Sequence, residues 1–404
     1  MSPELRARLD LLQQLAGGLA ARREELVLAA GKDMGAPCRI AGLEVDLAVE
    51  HLQTMAVELP YVEGKSSYGT VAAIFPYDAA PVVLARVGGA AILGGNRFRF
   101  SCSSLTPRTA HLFAEIVSPF PEFQTVVGLD NRTFGRQCVV DPEVRVLFIS
   151  GGGSVGAAYA KEAAAFDKLF FAGPSGLPPI LLFRDAPPET AVDFLVRWAF
   201  VNGGQYCTSI KRAYIHREIF DEVRRLILAR LPEIKVGDHR DSASWIGPIK
   251  AERSRKLLDR ALRALKEPRF LTPPRRDGQW QGPFLVETPE PPDLELFGPL
   301  LTLTPVDSDA EAVARVLHSR YPFLVAYFGT PPPGAQETLR ETFGMVHANR
   351  HTLDLVYANR NFLFTPLRLP FGGKGESGWI IEQRNGHSAK KDGAFIYSAE
   401  LVRA

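Results

Sequence analysis

Asn202-Gly203-Gly204-Gln205-Tyr206-Cys207-Thr208-Ser209-Ile210-Lys211-Arg212 is the stretch of this chain whose residue types suit covalent chemistry. An apolar, helix-length segment, Ala191 to Val201, precedes it, and the alternating run Arg212 to His216 reads as a strand behind it. Cys207 is thereby placed in a Gly-rich loop between a helix and a strand, where backbone N–H groups face a reacting atom. A thiolate at that position attacks a carbonyl carbon. The competing reading is a buried cysteine packed as a small hydrophobe. A second Gly-rich run, Gly151-Gly152-Gly153-Ser154-Val155-Gly156, follows the apolar strand Arg145 to Ile149 and opens a helix from Ala157 to Ala165. Glycines there admit close backbone approach, and a helix N-terminus offers N–H groups to a phosphate. A tight turn without a ligand fits the same residues.

The elements that position these runs read as an α/β protein. Leu5 to Val57 carries apolar residues at helical spacing and resolves into two or three helices. After a break over Tyr61 to Gly69, Val71 to Phe75 reads as a buried strand and Ala79 to Leu93 as an apolar helix. Arg97-Phe98-Arg99-Phe100 reads as a short strand, and Pro107 sits in the first turn of the next helix, where its missing donor costs nothing. Strand and helix keep alternating, as in a parallel, doubly wound sheet. At 404 residues and 46% hydrophobic content the chain is long enough for two or three sizeable cores. A formal net charge of +2 and no basic run argue against nucleic acid. The four cysteines, Cys38, Cys102, Cys138 and Cys207, are too few and scattered for a disulfide framework or zinc cluster. No apolar window spans a bilayer and Met1 to Arg8 has no signal-peptide core, so a cytoplasmic protein with no membrane partner is expected.

Gly204-Gln205-x-Cys207 with Arg212 behind it resembles the nucleophile loop of the aldehyde dehydrogenase superfamily. Further stretches resemble that family in order along the chain: Pro76-Tyr77-Asp78, Gly94-Gly95-Asn96, Gly151 to Gly156, Glu295-Leu296-Phe297-Gly298-Pro299 and Leu369-Pro370-Phe371-Gly372-Gly373 with Glu376-Ser377-Gly378. The resemblance implies a Rossmann-type cofactor domain over residues 1–178 with a short helical lead-in, and an α/β catalytic domain over 179–378 carrying the Cys207 loop. Residues 379–404 would return towards the cofactor domain or make an oligomer contact. It also implies Cys207 as nucleophile and Asp78 at the oxyanion position. Pro76, Ser101, Ser104, Gly151, Ser154, Gly156, Glu295 and Phe297 would hold NAD or NADP, and Tyr77, Tyr206, Thr208 and Phe371 the substrate. No metal is implied.

The departures from the family pattern carry the finer reading. Where hydrolytic members have a water-activating Glu, this chain has Gly173 in Gly173-Pro174-Ser175-Gly176-Leu177-Pro178-Pro179. The adenosine-site lysine stretch is replaced by Ser101-Cys102-Ser103-Ser104, and the oxyanion asparagine by Asp78. An ionised carboxylate there opposes an oxyanion, and a protonated one donates to it. The first two departures resemble the CoA-acylating branch, whose members pass an acyl group to coenzyme A. The expected activity is therefore an NAD(P)-dependent interconversion of an aldehyde and an acyl thioester, with coenzyme A or a carrier thiol as co-substrate. Two alternatives remain: a hydrolytic dehydrogenase whose base comes from elsewhere, and a diverged, weakly catalytic homologue kept for binding or assembly. The short lead-in before Tyr77 suggests that the hairpin bridging subunits in relatives is trimmed, so an oligomer is expected only if it forms otherwise. His347 and His351 read as loop histidines rather than the substrate entrance, and Cys102 as packing beside the cofactor. Arg97 and Arg99 read either as phosphate contacts or as a solvated strand face.

Overall fold

The computed structural model describes residues 1–64, 66–151, 153–173, 176–273, 276–343 and 345–349, and the strand backbones at 379–384, 387–391 and 402–403. Three helices open the chain: α1 (Pro3–Ala21), α2 (Arg23–Met34) and α3 (Cys38–Gln53). Ser2 caps α1, its Oγ accepting from the Leu5 N–H at 3.2 Å with Pro3 in the first turn. Leu5, Leu12, Leu15 and Leu19 form one buried face of α1. On α3 the buried face runs Ile40, Ala41, Glu44, Val45, Ala48, Leu52, which puts one carboxylate among apolar side chains.

The strands β1 (Thr70–Ile74), β2 (Arg97–Ser101), β3 (Phe123–Thr125), β4 (Val144–Ser150) and β5 (Leu169–Gly173) are joined by helices. These are α4 (Ala80–Val83, Leu84–Gly88, Gly89–Leu93), α5 (Pro107–Val117), α6 (Asn131–Val140) and α7 (Gly153–Ala165). The central part of α4 is a π-turn, a widening met mostly at functional sites. It is wedged between α3 and β2: a Cβ on Gly89 would lie 2.9 Å from the Leu52 side chain, and one on Gly88 3.0 Å from the Phe98 ring. The sheet core stacks Phe75, Phe98 and Phe100, with centroids 4.9 Å apart for Phe75 and Phe100. Each ring taken from water contributes about 1.5–3 kcal/mol.

β6 (Pro179–Leu182) begins a second sheet, and α8 (Pro188–Phe200), β7 (Arg212–His216), α9 (Arg217–Arg230) and α10 (Glu252–Arg263) follow. β8 (Arg269–Phe270), β9 (Phe284–Glu287), β10 (Leu300–Val306), α11 (Asp309–Leu317), β11 (Leu324–Phe328), α12 (Ala335–Thr342) and β12 (Met345–Ala348) complete it. The second sheet has the order β8-β9-β10-β7-β6-β11-β12 and is parallel except at β8. β13 (Trp379–Arg384) and β14 (His387–Lys391) join the first sheet, whose order is β14-β13-β5-β4-β1-β2-β3. There β13 lies antiparallel to β5 and β14 antiparallel to β13, while the other pairs are parallel.

Two doubly wound sheets with helical connections match the α/β fold expected from the alternation. Several details differ. The helix after β4 begins at Gly153, not Ala157, because the glycines themselves take helical backbone. His347 is not a loop residue: it lies in β12, is 1% exposed, and meets the edge of Trp198. His351 lies outside the described residues. Arg97 pairs with Glu143 at 3.2 Å and Arg99 with Asp141 at 2.6 Å, so both arginines serve ion pairs across their own sheet. Among the described residues no helix is long and apolar enough to cross a membrane, and no three His, Cys, Asp or Glu residues cluster as metal ligands.

Candidate active site

Cys207 lies in a loop built by left-handed backbone. α8 stops at Phe200, and Asn202, Gly203 and Gly204 then take φ of 49°, 63° and 66°. Glycine adopts that region freely and asparagine tolerates it, so Asn-Gly-Gly suits this turn. A Cβ on Gly204 would lie 2.3 Å from the Gly298 carbonyl oxygen, and the Gly298 N–H donates to Gly204 O at 3.1 Å. Lys211, 1% exposed, reaches the same point, its Nζ donating to Gly204 O and to Gly298 O, the latter at 3.3 Å. The loop is also held by Trp198 Nε1, which donates to Thr208 O, and by the Gln205 amide on Asn202 O at 3.1 Å. On the other side a Cβ at Gly176 would fall 2.2 Å from the Cys207 carbonyl oxygen, so only glycine fits there.

A cavity of about 290 Å³ opens over Cys207 between the two sheets. The first sheet contributes Pro76, Tyr77 and Asp78 after β1, and Ser150 and Gly151 where β4 ends. The second contributes Tyr206, Cys207, Thr208, Phe297 and Phe323. Glu44 of α3, Arg86 in the π-turn of α4, and Arg253 and Ser254 of α10 complete the polar part of the wall.

Charge in this cavity is unusually placed. Burial and, after it, the Asp78 carboxylate together push the Cys207 thiol up to about 12, against the smaller opposite pull of Arg86 and Lys211. At neutral pH the sulfur is therefore a thiol and needs a base. Burial holds the Asp78 carboxyl at about 7 and the Glu44 carboxyl at about 8, with the Asp78 charge adding to the Glu44 shift. Tyr206 Oη donates to Glu44 Oε1, and the Ala79 N–H donates to the same carboxylate; both oppose its shift. Tyr77 Oη lies 2.8 Å from Ser254 Oγ, and burial raises its pKa. Burial also lowers Lys211, to about 7.

The cofactor side follows the carboxyl ends of the parallel strands, the usual ligand crevice of a doubly wound sheet. Ser150 and Gly151 line the cavity immediately before α7, with Pro76 and Phe297 nearby. A dinucleotide with its pyrophosphate at that helix N-terminus fits these residues. Gly156 is buried in the first turns of α7 and does not line the wall, and the Ser154 side chain lies outside the described residues. Phe371 lies outside them too. Ser101 and Ser104 are not in the wall: Ser101 Oγ donates to Asn131 Oδ1 at 3.0 Å and Ser104 is exposed, whereas Ser103, Leu105 and Asn131 face the cavity. Glu295 stands behind the wall, both carboxylate oxygens on Arg253 Nη2 at 2.9 and 2.8 Å. Arg253, its cationic partner, is in the cavity wall where the sequence reading placed Glu295.

Tyr77, Asp78, Tyr206, Cys207 and Thr208, taken from two distant stretches, do meet in one cavity. Glu44, Arg86, Ser103, Asn131 and Arg253 were not foreseen. A signal for Glu44 existed, a carboxylate on the apolar stripe of α3. None existed for Arg253, whose position follows from the packing of α10.

The aldehyde dehydrogenase family profile matches residues 2–391. A 2-aminomuconic 6-semialdehyde dehydrogenase of Pseudomonas sp is 24% identical, over 92% of this chain and 81% of that protein. A probable NADP-dependent succinate-semialdehyde dehydrogenase of Sinorhizobium fredii is 26% identical over 80% of this chain and 71% of its own. Among solved structures, lactaldehyde dehydrogenase from Escherichia coli superposes with a TM-score of 0.83 at 22% identity, covering 100% of this chain and 86% of that one. NADP-dependent glyceraldehyde-3-phosphate dehydrogenase from Bacillus halodurans, complexed with NADP, gives 0.81 at 21% identity, with 100% and 86% covered. With residues 2–391 matched by the family profile, this chain belongs to the aldehyde dehydrogenase family and is an NAD(P)-dependent aldehyde oxidoreductase.

Proposed function

We propose that the chain interconverts an aldehyde and an acyl thioester through Cys207, releasing the acyl group to a thiol such as coenzyme A or a carrier thiol. The observation that carries this reading is at Gly173. It ends β5 and pairs in register with Ser150, a residue of the cavity wall, so the position next to that wall residue in the sheet has no acid to offer. Water needs a base within hydrogen-bond reach, whereas a thiol is already partly ionised at neutral pH and is the better nucleophile.

Asp78 serves the first step. As the Cys207 sulfur bonds to the aldehyde carbon, its proton passes to the ionised Asp78 carboxylate, and the carbonyl π pair moves to oxygen. Asp78, now neutral, donates a hydrogen bond to that oxygen. A nicotinamide dinucleotide held by Ser150, Gly151, Pro76 and Phe297 supplies the hydride acceptor. Arg86 in the wall suits a substrate with an anionic group at its far end, as in the semialdehydes for which two relatives are named. A second reading, hydrolysis with a base from outside β5, draws on the two carboxylates in the cavity and on the same relatives.

The deciding experiment runs an aldehyde panel with NAD or NADP, with and without coenzyme A. The proposal expects slow turnover in buffer alone, a strong rise with the thiol, and an Arg86→Ala variant whose KM rises mainly for carboxylate-bearing aldehydes. Fast, thiol-independent formation of free acid by the unmodified protein would select hydrolysis instead.

A further inference from the structure

We propose that Glu44, brought in from the N-terminal helix α3, is the positioning residue that clears the reaction's proton, taking it from Asp78 and passing it out of the site away from the substrate. The inference rests on Cys207 as nucleophile and Asp78 as its base.

Glu44 stands where two cavities meet. It lines the Cys207 cavity, and it also lines a separate space of about 20 Å³ enclosed by α2, α3, α4 and α5. That space has the volume for about one water molecule and has Thr106, Thr109 and Tyr77 in its wall besides Glu44, enough polar partners to hold one. Glu44 is buried, 8% exposed, and a water in that space would be a proton acceptor within its reach on the helical side. Its placement is fixed from two sides of the active site: Tyr206, the residue beside the nucleophile, donates to it, and so does the N–H of Ala79, the residue beside the base. No other wall carboxylate besides Asp78 occurs among the described residues.

The chemistry needs such a residue. Each turnover moves the Cys207 thiol proton to Asp78, and Asp78 must lose it before the next attack. Glu44, the other carboxylate of the cavity wall, takes the proton on, and the O–H bond broken at Asp78 is remade at Glu44. The charged and titratable groups around the pair are Tyr206, Cys207 and Lys211 from the nucleophile loop, Tyr77 from the β1 turn, Arg86 from α4 and Arg253 from α10.

The test compares Glu44→Gln, Glu44→Asp and Tyr206→Phe by two readouts: the pH profile of kcat, and the rate at which iodoacetamide alkylates Cys207 in the cofactor-free protein, read by mass spectrometry. In the unmodified protein kcat should rise with pH to a plateau above about 8, as Glu44 becomes free to accept. Glu44→Gln should lose the part of that rise that belongs to Glu44, keep the part that belongs to Asp78 at about 7, and fall about 10²-fold in kcat, the low end for loss of an acid–base group. Its Cys207 should alkylate no more slowly than the parent's, and Glu44→Asp should restore the inflection in part. A damaged site would slow both readouts together and would not be rescued by aspartate; that result overturns the proposal, as does a parental profile in Glu44→Gln. Should Glu44→Gln not fold, Tyr206→Phe reads the same group: losing a donor to the ionised carboxylate should move the inflection upward, and an unmoved inflection overturns the relay. Asp78→Asn losing turnover while Glu44→Gln keeps it would remove the relay alone and leave the Cys207–Asp78 reading standing.

Discussion

Asp78 sets the terms for every other group in the cavity. Its charge raises the Cys207 thiol, the Glu44 carboxyl and the Tyr206 and Tyr77 hydroxyls. Asp78→Asn is expected to speed alkylation of Cys207 at any given alkaline pH, since a negative charge beside the thiolate is gone, while turnover falls for want of the base. Slower alkylation in that variant would contradict the charge argument. The folded-state pKa of Asp78, about 7, lies above its ordinary value of 3.8, so the unfolded chain ionises first as pH rises. Between those values ionisation favours the unfolded state, and stability falls with rising pH. Denaturant titration should therefore show Asp78→Asn gaining stability over the parent more at pH 8 than at pH 5. At this scale the nucleophile was legible because Gly-Gln-x-Cys has a backbone reason for its glycines. Glu44 was marked only by its place on the apolar stripe of α3, and what that carboxylate meets depends on the helix's partner. Ser101 hydrogen-bonds to Asn131, itself in the cavity wall, and the loop after β2 presents Ser103 there.

The nucleophile loop and the Glu295-to-Pro299 segment behave as one element, although some ninety residues separate them. Gly204 and Gly298 touch backbone to backbone, and the Lys211 amine closes the joint by donating to both carbonyls. Lys211→Met should remove a hydrogen bond from each oxygen while Gly204 O keeps the Gly298 N–H and Gly298 O the Leu300 N–H, at a cost of about 0.5–1.5 kcal/mol for each bond lost. The folded pKa of Lys211, about 7, lies below its ordinary 10.5, so the unfolded state binds more protons in that window and stability rises with pH across it. Chemical denaturation of Lys211→Met over the same range should show that rise diminished; an unchanged slope would mean the amine is not the titrating group. The sequence showed both motifs but not their joint, because a lysine donating to two distant carbonyls leaves no periodic trace. The π-turn in α4 was equally hidden: its apolar run reads as an unbroken helix, and only the fit against Leu52 and Phe98 reveals the widening.

At the scale of the molecule, the site exists only where two sheets face each other, each with its own aromatic core. A ligand that spans the first sheet's strand ends and Phe297 should tie the two together. Saturating NAD or NADP, at about 100 times its Kd, is expected to stabilise the protein by about 2.7 kcal/mol, visible as a higher Tm, with the larger shift identifying the cofactor. No shift with either would favour the binding or assembly role over catalysis. The doubly wound architecture was legible from strand–helix alternation, a local property. The pairing of β13 with β5 was not, since strand order depends on contacts far apart in sequence. That pairing has a consequence for biosynthesis. While the chain is still being made, the β5 edge that ends at Gly173 has no neighbour beyond β4 until β13, at Trp379–Arg384, has followed it. An uncovered parallel edge of Leu169-Phe170-Phe171 invites strand addition from other chains, so the nascent protein carries an aggregation hazard until β13 covers it. Cutting the chain ahead of residue 379 would make that transient exposure permanent.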